Sequence, residues 1–420
     1  MDKMTFWLIA LAGIICIPYA RAEDDEEKLS IHGFLQANYS VRTGNPDTSS
    51  LKGGDFLLGE ERLQLEMQRQ GNDDGLFLKA DVWHDSVAGE TGIELREGYL
   101  SLNLNPINLR LGRQIVTWGI SDFLFINDTF PKDWPAFFSG RPLEYLKTGV
   151  DCLKVDFKGS AVSAEMVVIP SFQPDNLPSG DRFFFYNPMA GINQREELPE
   201  KDKDNTEFAL RLYRNIADTD FALYTYKGFF RSPAMKPDTL PVPTLITFHY
   251  PDLQVYGFSA QRSMFQGVTG LEMGYYHSSD DPDGTDPFIT NSHTRGLVGY
   301  QRQLWTDATI WVQYYGEYMR QYNNYKDNLL PGFIKQDRFK QTATVRLVHF
   351  FNYQTWQVSL LGLYGISEDD YFIIPEIKHQ VNDRFGVTLG LNLLGGRKDT
   401  TFFGQFEKND NLYLTMRSTF

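Results

Sequence analysis

Eighteen short segments of this chain alternate polar and apolar residues with a period of two, and their connections alternate between tight turns and longer loops. Period two is the side-chain repeat of a β-strand, whose successive residues point to opposite faces. In 60–68, Glu60, Arg62, Gln64, Glu66 and Gln68 interleave with Glu61, Leu63, Leu65 and Met67. In 386–393, Val387, Leu389, Leu391 and Leu393 interleave with Gly386, Thr388, Gly390 and Asn392. Asn411 to Phe420 repeats the pattern, with Leu412, Leu414, Met416 and Phe420 set against Tyr413, Thr415, Arg417 and Thr419. Tight turns fall at 71–74, 105–106, 158–160, 216–218, 265–266, 305–306, 352–354 and 382–383. Between them lie 43–55, 118–148, 171–204, 230–251, 279–292, 321–337 and 395–410, with shorter loops at 87–92 and 367–369. Every tight turn therefore falls at one end of the strands and every loop at the other. A sandwich has no reason to do this, whereas a single-chain transmembrane barrel does. The prediction is all-β: one closed antiparallel barrel of about 18 strands over 23–420, with 16 left open.

The ends and the composition agree. Residues 1–22 carry Lys3, an apolar run from Phe6 to Ile17 and Ala20-Arg21-Ala22, the parts of a cleavable secretory leader. The run is too short to span a bilayer. The formal charge of −14 becomes −15 once Asp2, Lys3 and Arg21 are removed, a poor balance for binding nucleic acid. Only Cys152 remains after cleavage, which excludes an internal disulfide and a thiolate metal site. Aromatic residues make up 15% of the chain, enough to supply a lipid-facing band and its girdles, so the cell outer membrane and its lipid are the expected surroundings.

Alternation assigns Glu60, Arg62, Glu66, Arg110, Arg211, Arg346 and Arg417 to the lumen, a set of charges that demands water. Barrels of 16 to 18 strands leave an aqueous channel. Strands 107–117 and 219–229 alternate poorly, as a bulge would make them, and nominally send Arg113 and Lys227 toward lipid. The loop 118–148 is rich in Phe and Trp, which are costly on a solvated surface, and the inner wall of a wide barrel can cover them. Folded inward, it would form a constriction at which Trp118, Asp122, Asp128, Lys132, Asp133, Arg141 and Glu144 set ion preference. The loop 171–204 is a second candidate.

Leu109-Arg110-Leu111-Gly112-Arg113-Gln114, followed by Thr117-Trp118-Gly119 and a long loop, resembles porin-like outer-membrane families of proteobacteria, among them relatives of alginate-export and phosphate-selective porins. The terminal Phe420 is similar to the signal read by the barrel-assembly machinery. The resemblance implies a porin-like channel for small hydrophilic solutes or ions, a homotrimer being one assembly open to it. The acidic chain lacks the basic clusters of an anion porin and tilts toward cations or neutral solutes. The other reading makes the barrel a sheath or export conduit for a polysaccharide or a periplasmic electron carrier. No enzyme is expected: the seven His show no His-Glu-x-x-His, no Gly-x-Ser-x-Gly elbow appears, and His84-Asp85-Ser86 points to alternating faces. Neither cofactor nor metal is expected, and Asp280-Asp281-Pro282-Asp283-Gly284 reads as a solvated turn.

Overall fold

A computed structural model describes residues 28–44 and 46–420; the leader assigned to 1–22 lies outside them. Eighteen strands form one antiparallel sheet closed on itself. They are β1 (Lys28–Arg42), β2 (Phe56–Gln70), β3 (Asp74–Asp85), β4 (Glu90–Leu104), β5 (Ile107–Gln114), β6 (Val150–Phe157), β7 (Ser163–Ile169), β9 (Glu207–Ile216) and β10 (Thr219–Phe229) in the first half. The second half holds β13 (Asp252–Met264), β14 (Gly267–Ser278), β15 (His293–Trp305), β16 (Ala308–Met319), β17 (Phe339–Phe351), β18 (Trp356–Gly365), β19 (Asp370–Gln380), β20 (Phe385–Gly396) and β21 (Asn411–Thr419). Each pairs with its sequence neighbours in the barrel, and β21 closes onto β1, with Gly33 and Phe420 exchanging backbone hydrogen bonds of 3.1 and 2.9 Å. Closure satisfies every strand edge, which hydrocarbon requires. Three short strands, β8 (Asn193–Glu196), β11 (Ala234–Pro237) and β12 (Leu245–His249), make a separate small sheet from the long loops. At four or five residues each they carry too little alternation to be read from sequence.

Tight turns hold the register. Ala217-Asp218 and Phe265-Gln266 have both central φ angles positive, 49° and 60°, and 56° and 61°. That is the type I′ geometry whose twist matches a two-residue hairpin. Phe265-Gln266 has no turn-forming residue, so only the flanking alternation betrays it.

The outer surface is apolar. On β21, Leu412, Leu414 and Met416 are each 37% exposed while Tyr413 is 5% and Thr415 7%. Around the tight-turn end, Phe265, Trp305, Phe351 and Tyr353 project outward, with His379 stacked on Trp356 at 4.0 Å. This is an interfacial aromatic girdle of an outer-membrane barrel, and the contrast between tight turns at this end and long loops at the other makes this end the periplasmic one.

The two poorly alternating strands contain no bulge; their ladders run without a register shift. On β10 the lumen face is Ala222, Tyr224 and Tyr226, apolar because it packs against an in-folded loop, so the usual contrast between faces vanishes. Lys227 does point outward, beside the long-loop end, and Arg113 reaches Asp151 at 3.5 Å in the same zone. Register shifts lie elsewhere, at Ser40/Val41 of β1, at Gln303/Trp305 of β15 and in β4, where Lys79 pairs with Glu97 and Ala80 with Leu95, leaving Arg96 as the extra residue.

Candidate functional site

After β5 the chain turns into the lumen and crosses it before returning at β6. Its apolar residues form two clusters. Val116, Trp118 and Phe130 pack on β6, β7, β9, β10, β13 and β14. Phe137 and Phe138, on the short helix α1 (Trp134–Phe138), pack with Leu57, Leu361, Phe372, Leu394 and Tyr413 from the opposite wall. The hydrophobic core of this barrel is thus inside it, which is where so many aromatics become affordable.

Polar tethers fix the crossing at both walls. On β14, Glu272 is fully buried and accepts the backbone N–H of Ile120 at 2.9 Å and of Asn127 at 3.0 Å, plus Asn127 Nδ2 at 2.9 Å. Trp118 Nε1 donates to Glu165 on β7 at 2.6 Å, Arg295 on β15 to the Phe125 carbonyl at 3.2 Å, and Arg231 to the Thr129 carbonyl at 2.8 Å. On the far side Asn411 and Asn392 donate to the Phe138 carbonyl at 3.0 and 3.3 Å, and Asn38 to the Gly140 carbonyl at 3.0 Å. These amides come from three neighbouring strands at the barrel seam; two satisfy the Phe138 carbonyl that α1 leaves unpaired at its C-terminus, and the third the Gly140 carbonyl just beyond it. The β4 bulge aims Arg96 inward to donate to the Glu144 and Lys147 carbonyls at 3.0 and 3.3 Å.

Sequence reasoning missed Glu272, Asn38, Asn392, Asn411, Glu165 and Arg96. For Glu272 a signal existed. Gly270 and Gly274 flank it at period two on the lumen face, and a Cβ on them would lie 2.5 Å from Ile120 and 2.9 Å from Ile126. Small residues beside a buried carboxylate mark a close backbone approach.

The charged residues of 118–148 do not form one ring. Asp128 and Lys132 are buried together at 2.8 Å, with Lys147 3.0 Å from the other carboxylate oxygen. Burial pushes the Lys132 ammonium below its ordinary pKa, and Asp128 offsets part of this. Asp133 caps α1, accepting from Ala136 N at 3.2 Å, and lies 3.6 Å from Arg141. Arg141 reaches buried Glu60 at 2.7 Å; Glu60 also holds Arg62 at 2.9 Å, and Arg62 pairs with Asp81. Only Asp122 and Glu144 keep half-exposed carboxylates in the lumen, with Arg346 2.8 Å from Asp122 and Arg417 on Glu144. Among the other lumen residues Glu66 pairs with Lys79 at 2.9 Å, while Arg110 and Arg211 lie over the rings of Tyr99 and Tyr213 at 5.4 and 4.7 Å.

Two cavities flank the crossing. The inner one, of about 470 Å³, faces the periplasm between 140–144 and β19–β21, and holds Arg141, Lys378, Arg384 and Arg417 beside Glu144 and Glu376. The outer one, of about 430 Å³, is lined by aromatic rings, among them Phe123, Phe125, Trp134 and Phe402, together with charged side chains that include Lys132, Arg231, Arg295 and Glu317. Phe137 lines both.

The loop 171–204 lies over this assembly, bridging Asp133 through Asn176. Its Asp175 accepts from Trp134 Nε1 at 2.9 Å, and burial lifts its carboxyl above the usual range. The acidic turn at 280–284 is not fully solvated: Asp281 is buried and accepts from Thr285 N and Asp286 N at 2.9 and 3.0 Å. Of the histidines, His293 stacks on Tyr276 at 4.7 Å, His349 sits against Trp305 at 5.8 Å, and His84 lies 2.9 Å from Thr91 Oγ1. Among the described residues no three His, Cys, Asp or Glu side chains converge as a metal site.

The chain is similar in fold to solved outer-membrane proteins. OccK2 (OpdF) of Pseudomonas aeruginosa, in complex with glucuronate, aligns with a TM-score of 0.55 and 9% identity over 93% of this chain and 98% of its own. OccAB3 of Acinetobacter baumannii gives 0.54 and 10% over 94% and 99%. OccD3 (OpdP) of Pseudomonas aeruginosa gives 0.55 and 10% over 93% and 90%. No curated protein matches the sequence. A family model described as a protein of unknown function, DUF1302, matches residues 87–420.

Proposed function

The chain belongs to the DUF1302 family, and we propose that it is a porin-like channel through which small hydrophilic solutes or ions diffuse passively across the outer membrane. Residues 1–22 serve as its export leader, and Phe420 as the mark read by the barrel-assembly machinery. The observation that carries the reading is the pair of cavities on opposite faces of a loop tethered across a charged 18-stranded lumen. Such a loop leaves room for small molecules, and its anchors on both walls oppose a threaded polymer or a carrier protein. The loop 118–148 acts as the constriction, with Asp122 and Glu144 as the carboxylates that passing ions meet.

Purified protein in a planar bilayer should give stepwise conductance. An intact barrel, heat-modifiable on a gel, that conducts nothing would sink the proposal.

A further inference from the structure

The outer cavity combines charged side chains with a dense set of aromatic rings, and the rings are what a water-filled ion passage does not call for. Phe123, Leu124, Phe125, Trp134, Phe230 and Phe402 stand in its wall only partly buried. Phe123, Leu124, Phe125 and Trp134 pack against the cluster that buries Phe137, Phe138, Phe372, Phe403 and Phe406, and still leave part of their surface to the cavity. The cavity offers no free cation. Lys132 is matched by Asp128 at 2.8 Å, Arg231 by Glu207 at 2.7 Å, Arg295 by Glu317 at 3.1 Å and Lys340 by Glu368 at 3.5 Å.

The rings are also ordered. Trp134 is fixed by its Nε1 bond to half-buried Asp175, and Phe125, Phe137 and Phe402 meet it edge-on at 6.0 to 6.3 Å. A further ring entering the cavity could meet their exposed parts in the same edge-to-face or offset geometry that aromatic pairs prefer. A volume of about 430 Å³ with aromatic rings in its wall and its cations paired matches a small-molecule site.

We infer that the outer cavity is a binding site for a small, neutral, ring-bearing organic molecule taken from the external medium, with Phe137 as the partition separating it from the inner cavity. The site goes beyond the diffusion reading and stands without it.

Titrate the full barrel in lipid nanodiscs with 2-naphthol, n-octanol and glucose, subtracting empty nanodiscs. One saturable 2-naphthol site per barrel is expected, with a negative heat-capacity change from apolar burial. F402A and F123A change partly exposed rings, so they should fold as the parent does and weaken 2-naphthol at least tenfold. Absence of a saturable site, unchanged affinity in both variants, or tighter binding of n-octanol would overturn the inference. Bilayer conductance on the same preparation separates the two ideas: conductance without binding refutes this site alone, and binding without conductance refutes the channel alone.

Discussion

At the scale of single residues, burial separates carboxylates that build the crossing from those that meet the lumen. Asp122 and Arg346 are each more than a third exposed, so their pair contributes little to stability, about 0–1 kcal/mol, and stays available to ions. Asp122→Asn and Glu144→Gln should therefore shift the reversal potential toward anions with the fold intact. Asp128→Asn should act differently. It removes the charge opposite buried Lys132 and should destabilise by roughly 3 kcal/mol, read as a lower urea midpoint in vesicles. Asp410, just before β21, tests pH. Burial raises its carboxyl to about 6, although Leu394 N donates to it at 2.6 Å. The folded state thus holds this proton more tightly than the unfolded chain, so the contribution is complete below about pH 4. It is lost as pH rises through 6. The urea midpoint of the parent should fall between pH 4 and 7 relative to Asp410→Asn, and parallel profiles would refute the assignment.

At the scale of elements, alternation is the dominant physics, and β20 offers adjacent residues on its two faces. Leu389 faces lipid, whereas Thr388 borders the inner cavity. Leu389→Arg should cost about 2–4 kcal/mol, the penalty for a cation near the bilayer midplane. Thr388→Arg should cost much less, since water reaches it; equal costs in vesicle refolding would contradict the assignment of faces. The same alternation let eighteen strands be located from sequence within a few residues. It failed on β10, where a tertiary contact supplies an apolar partner to the lumen face, and on β8, β11 and β12, which are too short to show a period.

Across the whole molecule, the barrel and its crossing loop depend on each other. The wall needs the loop to cover Tyr224, Tyr226 and Phe372, and the loop needs Glu272 and the seam asparagines to satisfy its backbone. Glu272→Ala strands three donors, at about 1–3 kcal/mol each when buried. The expected outcome is a barrel that still assembles but whose loop is cut by added protease and whose conductance becomes larger and noisier. Unchanged protease resistance would show that the apolar clusters alone hold the crossing.

Strand positions, the two-faced wall and the split between tight turns and long loops were legible in the sequence, while a count of 16 stayed open and the inward fold of the aromatic loop was only a candidate. Each depends on local periodicity or on the mismatch between apolar residues and a solvated surface. The partners of individual charges were not legible. Whether Asp128 lines a passage or lies beneath it, and whether Asn392 and Asn411 serve the lumen or cap a helix more than 250 residues away in the chain, depends on where the loop lands on the wall. That landing is set by the summed packing of two apolar clusters on opposite sides of the barrel, a non-local quantity that no window of sequence contains.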